Sequence, residues 1–450
     1  MATEQETAEL TERIEQALRG AEVNDAVEAI GSVHPADRAD LYERLDPELR
    51  EAFLSLLSTE NMAQLLDYLE EDVREQVVDR MPRATMARVL DKTSHDVAVD
   101  VLRTLPPSDT ARVLSAMTTA QEITPLLEHS DESAGGLMTR GYVALHPEMT
   151  AHQAITFLRL RKPLADEAYY LYVLDAANRL QGVVNLRELL ISEPSAPIVD
   201  VMTKDAITVE PGTDQEEVAR LIQHYRLRAL PVVDEERVLR GIITADDAME
   251  VASEEATEDM YRMVGLLSDD SVYAPVMVSA RRRLPWLGLN LVAAFLAAAM
   301  VAAFEDTIAK AAALAVFMPV VAGQGGNSGI QSITIVVRGL AVGEIQAEDA
   351  RRVLAKEVAI GLVKGVAFGV LIGAIAWAWQ GTPAWGLVVG LALMLNMMAA
   401  GFLGAVIPLT LRALKLDPAI ASGIFLTAFT DVIGFLALLG LGALMISQLT

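Results

Sequence analysis

The sequence predicts a multi-domain protein: an all-α N-terminal helical-repeat domain, then an α/β region, then an α-helical transmembrane domain with five helices. Three observations support this fold class: a repeat early in the chain, a strand–helix alternation that occurs twice, and long uncharged apolar runs near the end. Residues 1–280 carry 25 basic and 53 acidic side chains, a net charge of −28. Residues 281–450 carry 11 basic and 8 acidic ones, a net charge of +3. We therefore expect a water-soluble acidic part followed by a membrane-embedded part.

The first domain, expected over residues 1–130, shows a repeat of about 24 residues. Its units start at His34, Ser58, Pro82 and Pro106. Each unit carries two neighbouring apolar residues at the same place: Leu41 with Tyr42, Leu65 with Leu66, Val89 with Leu90, and Val113 with Leu114. Since Ser and Pro open helices, we expect two short helices per unit, stacked as a superhelix. The alternative is a generic all-α domain with a coincidental period.

The second region, expected over residues 131–252, alternates short β-branched runs with amphipathic segments. The pattern occurs first over residues 135–190 and again over residues 201–249. This alternation predicts two βαβ-like units in tandem.

The last region, expected over residues 285–450, contains apolar runs long enough for five membrane spans. The runs are residues 286–304, 311–337, 365–411 and 419–448, and the third is long enough for two spans divided by a turn at 380–383. A span needs about 20 apolar residues.

Basic residues flank alternate ends of these spans. They precede the first span and lie between spans two and three and between spans four and five: Arg281, Arg282, Arg283, Arg338, Arg351, Arg352, Lys356, Arg412 and Lys415. By the positive-inside rule, the acidic N-terminal part lies in the cytosol and the C-terminus faces outside. The acidic N-terminus lacks the pattern of a cleaved signal peptide, so we expect the spans to direct the chain to the cell inner membrane.

Asp431 is an acidic residue in the middle of the last apolar run. A carboxylate at the centre of a membrane span costs about 2.5–3.5 kcal/mol on insertion scales, and such residues usually face a water-filled path or a partner. We favour a cation site, and the alternative is an ion pair with Lys364.

The second apolar run contains a glycine-rich polar stretch, PVVAGQGGNSGIQS at residues 319–332. Each glycine destabilises a helix by roughly 1 kcal/mol relative to alanine. We therefore expect irregular backbone that lines a cavity and offers oxygen ligands to a hydrated hard cation such as Mg²⁺. The alternative is that these glycines only permit close helix packing. Close packing is the preferred interpretation for Gly361, Gly365, Gly369 and Gly373 in the third span and for Gly386 and Gly390 in the fourth.

Gly241, Thr244 and Asp247 form a Gly-x-x-Thr-x-x-Asp pattern that resembles the nucleotide motif of cystathionine-β-synthase (CBS) domains. The α/β region thus resembles an α/β tandem CBS domain pair. With the domain order and the motifs GGLMT at 135–139, DQEEVAR at 214–220, EEATEDM at 254–260 and LDPAIASGIFLTAFTDVIGF at 416–435, the whole chain resembles the MgtE family of Mg²⁺ channels.

This resemblance implies a homodimer in the lipid bilayer with a pore between the two membrane domains. Asp431 would hold hydrated Mg²⁺, and Gly326, Asn327 and Ala428 would line its path. The chain departs from the family pattern at Ile330 and Gly423, which stand where that pattern has asparagine. Co²⁺ and Mn²⁺ are further candidate ions.

Residues 253–284 correspond to the family's connecting (plug) helix. Carboxylates are dense here and just before it, at Asp246, Asp247, Glu250, Glu254, Glu255, Glu258 and Asp259. Like charges four residues apart on a helix are destabilising unless they are neutralised. The resemblance implies that cytosolic Mg²⁺ bridges this helix to the CBS and N-terminal domains and closes the pore by negative feedback, with the regulatory ligands Asp246, Asp247, Glu254, Glu255, Glu258 and Asp259. The alternative is a solvated acidic face.

The resemblance also implies nucleotide contacts, with ATP as the ligand, at Tyr170, Arg187, Thr244 and Asp247. The first copy carries a weaker motif, with Asn185 and Glu188 at the corresponding places. The alternative is a CBS pair that serves only as a dimerising sensor platform.

Composition excludes several other classes. The strongly acidic N-terminal part repels nucleic acid, and the absence of cysteine removes disulfides and thiolate metal sites. An intramembrane protease would need metal-binding histidines, but all six histidines precede the membrane part, so we expect no enzyme activity. The remaining alternatives are a membrane-anchored CBS nucleotide or ion sensor and a channel for another ion.

Overall fold

The computed structural model describes residues 14–16, 19, 30–31, 33–163, 168–266, 276–420 and 422–449. The chain separates into two compact units, residues 1–251 and 252–450. Within the predicted connecting segment 253–284, residues 267–275 lie outside the described residues, as do most of residues 1–29 of the predicted first domain.

The N-terminal domain consists of helix pairs, one pair for each predicted repeat. The first helices of the pairs are α1 (Pro35–Arg44), α3 (Thr59–Tyr68), α5 (Arg83–Leu90) and α7 (Pro107–Ala116). The second helices are α2 (Pro47–Leu56), α4 (Glu71–Arg80), α6 (His95–Thr104) and α8 (Ala120–Ile123). The first helices begin directly after the predicted unit starts, and of the repeated apolar pairs only Leu114 is not fully buried. The predicted repeat is confirmed.

In three repeat units, a carboxylate at the same repeat position accepts a hydrogen bond from the backbone of the next unit. Glu43 accepts a hydrogen bond from the backbone N–H of Glu70 (3.2 Å), and Asp67 accepts one from that of Ser94 (3.0 Å). Asp91 accepts from the backbone N–H of Thr119 (3.0 Å). In every case the donor stands at the N-cap position of the second helix of the next unit, so the same hydrogen bond recurs between successive units.

Replacing Asp91 by alanine should destabilise the N-terminal domain by about 2 kcal/mol, because hydrogen bonds to charged groups contribute about 1.5–3 kcal/mol. Asp91 also accepts from the Thr119 hydroxyl (2.9 Å) and the Thr118 N–H (2.8 Å). Although burial opposes ionisation, these bonds hold the pKa of Asp91 below its usual value. Urea unfolding of the detergent-solubilised chain, followed by circular dichroism, measures the loss.

The control for this variant is Glu60→Ala. Glu60 pairs with Lys92 at 3.6 Å, but both side chains are more than half exposed. Such a surface pair contributes roughly 0–1 kcal/mol. Equal losses in the two variants would contradict the linkage role of Asp91.

The α/β region contains two small sheets, one from each predicted copy. In the first, β2 (Tyr170–Leu174) pairs parallel with β1 (Val143–Leu145) and antiparallel with β3 (Leu180–Asn185). In the second, β4 (Ala229–Val233) pairs antiparallel with β5 (Leu239–Thr244). The helices of this region are α9 (Ala134–Leu137), α10 (Ala151–Arg161), α11 (Leu186–Ile191), α12 (Ile198–Val201) and α13 (Gln215–Tyr225).

The two sheets share one apolar cluster. Tyr172 and Leu174 of the first sheet pack with Ala229, Leu239 and Ile242 of the second. This packing confirms the tandem α/β arrangement. Thr244 stands at the end of β5, a mostly buried strand.

Helix α14 (Ala245–Met263) begins directly after β5 and continues without a break for 19 residues. The boundary between the two compact units falls inside it, between Val251 and Ala252. The predicted regulatory carboxylates therefore all lie on one continuous helix.

The described part of the membrane domain contains five long helices: α15 (Val276–Ala302), α17 (Leu314–Ala341), α18 (Ala350–Gln380), α19 (Pro383–Ala413) and α20 (Ser422–Leu444). The short helices α16 (Glu305–Lys310) and α21 (Ile446–Leu449) accompany them. Among the described residues, four of the long helices are apolar and long enough to cross a membrane. Helix α17 has 28 residues, which is also long enough, but its Gln, Asn, Ser and Gly residues lower its hydropathy. The chain is a multi-pass membrane protein.

Glycines bring α18 and α19 into backbone contact, as predicted. A Cβ atom on Gly369 would lie 2.7 Å from the Gly390 carbonyl oxygen, and one on Gly390 would lie 2.7 Å from that of Gly369. Gly373 and Gly386 repeat this reciprocal contact at 2.7 Å. These glycines are packing positions.

The prediction of irregular backbone in the second span is wrong, because α17 is a continuous α-helix through residues 319–332. Neighbouring side chains fill two of its glycine notches. A Cβ atom on Gly325 would lie 2.1 Å from Asn396 Nδ2, and one on Gly329 would lie 2.7 Å from the Leu426 side chain. Tertiary packing thus outweighs the low helix propensity of glycine at these positions.

Candidate functional site

Asp431 lies in the middle of α20, and its side chain is half-buried in the single chain. Within the described part of the membrane domain, its carboxylate has no ion-pair partner. Lys364 instead donates a hydrogen bond to Gln331 Oε1 at 2.9 Å, so the predicted alternative of an ion pair with Asp431 is wrong. The carboxylate is left available to a cation.

Helix α17 lies directly beside α20 at this level. Thr430, the neighbour of Asp431, has its hydroxyl oxygen 4.0 Å from the position of a Cβ atom on Gly326. Gly326 is buried, whereas the next residue, Asn327, is exposed in the single chain. Ala428 is half-buried and stands one helical turn before Asp431. The four residues predicted to line the ion path thus lie on two adjacent helices.

A partly open cavity of about 190 Å³ lies beside the start of α20 and the middle of α17. Its walls are mostly apolar, and they include both positions that depart from the family pattern; the lining residues are Met263, Val264, Asn290, Ile330, Ile333, Gly423, Ile424 and Thr427. A Cβ atom on Gly423 would lie 2.5 Å from the Met263 carbonyl oxygen. The backbone at the end of α14 therefore rests on α20 at a place where no side chain fits.

Gly423→Ala should displace the end of α14 from α20, because a backbone oxygen at 2.5 Å cannot yield as a flexible side chain does. Overpacking of this kind costs about 1–3 kcal/mol, which is about a fivefold to 150-fold shift in a docking equilibrium. The chain contains no cysteine, so a thiol-reactive cross-linker between cysteines placed at Val264 and Ile330, which both line the cavity, can report docking. We expect the cross-linking yield to fall severalfold in Gly423→Ala.

Gly440→Ala is the matched control, because a Cβ atom there meets nothing within 4 Å. It lies on the same helix and should leave the yield unchanged. Equal yields in both variants would show that Gly423 does not hold the end of α14.

The carboxylates of α14 differ in their surroundings. Glu254 is exposed, whereas Glu255, Glu258 and Asp259 are half-buried. Burial and, to a lesser extent, the negative charges of Asp417 and Glu255 raise the pKa of Asp259 to about 6. These neighbours make the site electronegative, which favours a divalent cation.

Arg262 partly compensates this negative charge. Its guanidinium pairs with Glu258 one helical turn away and with Asp417 at 2.5 Å, in the loop between α19 and α20. The pairing ties the end of α14 to the membrane domain. Asp417 was not among the predicted site residues.

Asp247 sits at the start of α14 and accepts hydrogen bonds from the Thr244 hydroxyl (2.6 Å) and backbone N–H (3.2 Å). Burial and the nearby charge of Asp96 raise the pKa of Asp247 to about 7. Burial likewise raises the pKa of Asp96, with a further contribution from Asp67. Asp246, the other predicted ligand here, is exposed. Two half-buried, repelling carboxylates fit a divalent cation, which would remove their repulsion.

These carboxylates form no closed metal cage by themselves. Among the residues that the structure describes, no group of three or more His, Cys, Asp or Glu side chains is placed to hold a metal ion. A hydrated Mg²⁺ suits this arrangement, because Mg²⁺ keeps several waters and is commonly bound through one or two carboxylates.

The predicted nucleotide contacts fall on both sheets. Tyr170 opens β2 and is half-buried, and Arg187 is exposed at the start of α11. Thr244 ends β5, with its hydroxyl bonded to Asp247. A nucleotide that used both groups would have to replace this bond.

Asp96 is a candidate regulatory residue that the sequence interpretation missed. It lies in the first turn of α6, about 150 residues before Asp247, so no local spacing joins the two. The available signal was its place in the repeat, one residue after the start of the second helix of a unit.

Comparisons with known proteins agree with this organisation. The family profile described as MgtE intracellular N domain matches residues 33–132, and the CBS domain profile matches residues 134–193 and 198–254. The MgtE profile, described as divalent cation transporter, matches residues 318–441. The tandem CBS interpretation is confirmed.

Curated relatives resemble between 73% and 98% of the chain. A protein of Thermus thermophilus named magnesium transporter MgtE is 38% identical over 332 residues, which cover 73% of each chain. One of Bacillus subtilis with the same name is 33% identical over 443 residues, which cover 98% of each. A crystal structure of the cytosolic domain of the Mg²⁺ channel MgtE with ATP is 34% identical, with a TM-score of 0.51, and the match covers 54% of this chain and 99% of that one. The resemblance predicted from the motifs is confirmed, and the chain belongs to the MgtE family.

Proposed function

We propose that this chain is a Mg²⁺ channel or transporter of the cell inner membrane, closed by negative feedback from cytosolic Mg²⁺. The observation that carries the proposal is Asp431, a half-buried carboxylate without an ion-pair partner in the described part of the membrane domain. Membership of a family whose relatives are named magnesium transporters supports the choice of ion. It also supports a transporter rather than an enzyme.

In the proposed pathway, Asp431 attracts Mg²⁺ that retains most of its water. Mg²⁺ dehydrates reluctantly, so an outer layer of acceptors suits it better than a tight cage. Asn327 and the backbone near Gly326 and Ala428 supply such acceptors. Asn327 is exposed in the single chain, which fits a path completed by a second copy in a homodimer.

In the proposed feedback, Mg²⁺ binds the carboxylates of α14 and stabilises the closed state. The regulatory set is Asp246, Asp247, Glu254, Glu255, Glu258 and Asp259, and we add Asp96 and Asp417 to it. The raised pKa values of Asp247 and Asp259 support this, since both report negative charge that a cation would relieve. A ligand shifts a protein toward the state that it binds more tightly.

Each predicted domain has its own role in the proposed function. Residues 1–130 and 131–252 form the cytosolic sensor, residues 253–284 connect it to the membrane, and residues 285–450 form the pore domain with its C-terminus outside. We propose ATP as a second ligand of the sensor, at Tyr170, Arg187, Thr244 and Asp247, because the similar cytosolic domain was solved with ATP.

Uptake by the purified chain in proteoliposomes tests the function. We expect Mg²⁺ uptake at low Mg²⁺ on the sensor side, and slower uptake of Co²⁺ or Mn²⁺. Binding of ATP or Mg²⁺ without uptake of any of these ions would favour a membrane-anchored sensor instead. Uptake of a monovalent ion alone would favour a channel for another ion.

A further inference from the structure

Asn396 is a fully buried amide in the membrane domain, on α19. Its Nδ2 atom donates a hydrogen bond to the Val321 carbonyl oxygen of α17 at 2.9 Å. Its Oδ1 atom is buried and has no hydrogen-bond partner in the described part of the chain. An unpaired buried acceptor is destabilising, so this amide is kept in the apolar interior at a cost to stability.

Two glycines make room for this side chain. A Cβ atom on Gly325 of α17 would lie 2.1 Å from Asn396 Nδ2, and one on Gly434 of α20 would lie 2.7 Å from the same atom. The amide therefore fills a notch between the two helices that carry the candidate ion path. Neither glycine could be replaced without moving Asn396 or a helix.

The hydrogen bond to the Val321 carbonyl oxygen fixes the orientation of the Asn396 amide. The opposite orientation would place Oδ1 against the Val321 carbonyl oxygen, and two acceptors repel. The one hydrogen bond that Asn396 makes thus joins α19 to α17 directly and in one geometry. Interhelical hydrogen bonds of this kind stabilise helix packing in membrane proteins.

The notch is formed by residues next to those of the candidate ion path. Gly325 precedes Gly326 and Asn327 on α17, and Gly434 stands one helical turn after Asp431 on α20. We propose that Asn396 is a positioning residue: it sets the spacing of α17 and α20 and thereby the distance of Asn327 from the Asp431 carboxylate. The expected effect of Asn396 on Mg²⁺ uptake rests on the proposed function. Its effect on the spacing of α17 and α20 does not depend on transport.

A double-mutant cycle between Asn396 and Gly325 tests the structural part. Gly325→Ala should lower the thermal midpoint of the solubilised chain strongly in the wild-type background. In the Asn396→Ala background, the added methyl group enters the vacated notch and should do little harm. Gly440→Ala, which meets nothing within 4 Å, is the control and should behave alike in both backgrounds.

Spin labels test the spacing directly, because the chain has no native cysteine. Labels at Ile335 of α17 and Leu436 of α20, both exposed, report the distance between the helices. We expect Asn396→Leu, which keeps the volume but removes the donor, to shift or broaden this distance distribution.

Uptake kinetics test the positioning role. In Asn396→Leu, the Mg²⁺ concentration for half-maximal uptake should rise about threefold to tenfold, as expected for one lost interhelical hydrogen bond. Maximal uptake per folded protein should fall less. The proposal is overturned if the losses of thermal midpoint in the double-mutant cycle are additive. It is also overturned if the distance between the spin labels is unchanged, or if only maximal uptake falls. If the wild type shows no uptake, the proposed function fails, while the cycle and the labels still decide the spacing.

Discussion

Asp431→Asn should lower Mg²⁺ uptake in proteoliposomes by at least about a hundredfold. The substitution keeps the size of the side chain but removes its charge. A unit charge about 4 Å away contributes about 4 kcal/mol at an effective dielectric constant of 20, and the double charge of Mg²⁺ increases this. Asp431→Glu, which keeps the charge but moves it by one methylene group, should retain part of the activity.

Asp306→Asn is the control for this prediction. Asp306 is a carboxylate of the membrane domain that lies in the short helix α16, away from the middle of any long helix. Its substitution should leave uptake near the wild-type rate. Size-exclusion profiles must match the wild type for all variants, and near-wild-type uptake by Asp431→Asn would remove Asp431 from the ion path.

Asp247→Asn should weaken the inhibition of uptake by sensor-side Mg²⁺ by about tenfold or more. The half-buried Asp247 and Asp96 repel each other, and bound Mg²⁺ would relieve that repulsion. Asparagine removes the carboxylate that would bind Mg²⁺ together with the repulsion that Mg²⁺ would relieve, so Mg²⁺ no longer stabilises the closed state through this residue. The measurement is the sensor-side Mg²⁺ concentration that halves uptake.

Glu236→Gln serves as the matched control, since Glu236 is an exposed carboxylate of the same α/β region. It changes the net charge equally and should leave the inhibition constant unchanged. If both variants shift the inhibition constant alike, general electrostatics rather than a site would explain the feedback.

With divalent ions removed by EDTA, the stability of residues 1–251 should fall as the pH rises. Burial and Asp96 raise the pKa of Asp247 to about 7 in the folded protein, against about 3.9 in an unfolded chain. The folded state therefore holds a proton that the unfolded state has released, so this contribution is fully present below pH about 4 and is lost as the pH rises through about 7. We expect the thermal midpoint to be lower at pH 8 than at pH 6, with a smaller difference in Asp247→Asn. The prediction fails if the midpoint does not change over this range.

The helical repeat was predictable because its determinants are local. His34, Ser58, Pro82 and Pro106 each stand directly before a helix, and the apolar pairs recur at a fixed distance from them. The glycine pairs between α18 and α19 were predictable for a similar reason, since a spacing of four residues places small side chains on one helix face. Patterns of this kind need no knowledge of distant contacts.

The regular helix through the glycine-rich stretch was not predictable from that stretch alone. The notches at Gly325 and Gly329 are filled by Asn396 and Leu426, which lie about 70 and 100 residues further along the chain. Asp96 and Asp417 were missed for the same reason, because their relation to the carboxylates of α14 exists only in the folded protein. Asp431 was found because a charge within an apolar run is visible in the sequence itself.

The measurement that tests the account most directly is Mg²⁺ uptake by the wild type and Asp431→Ala, each with low and with high Mg²⁺ on the sensor side. We predict rapid uptake only in the wild type at low sensor-side Mg²⁺, slower uptake in the wild type at high sensor-side Mg²⁺, and almost none in the variant under either condition. Equal uptake by the two proteins at low sensor-side Mg²⁺ would contradict it.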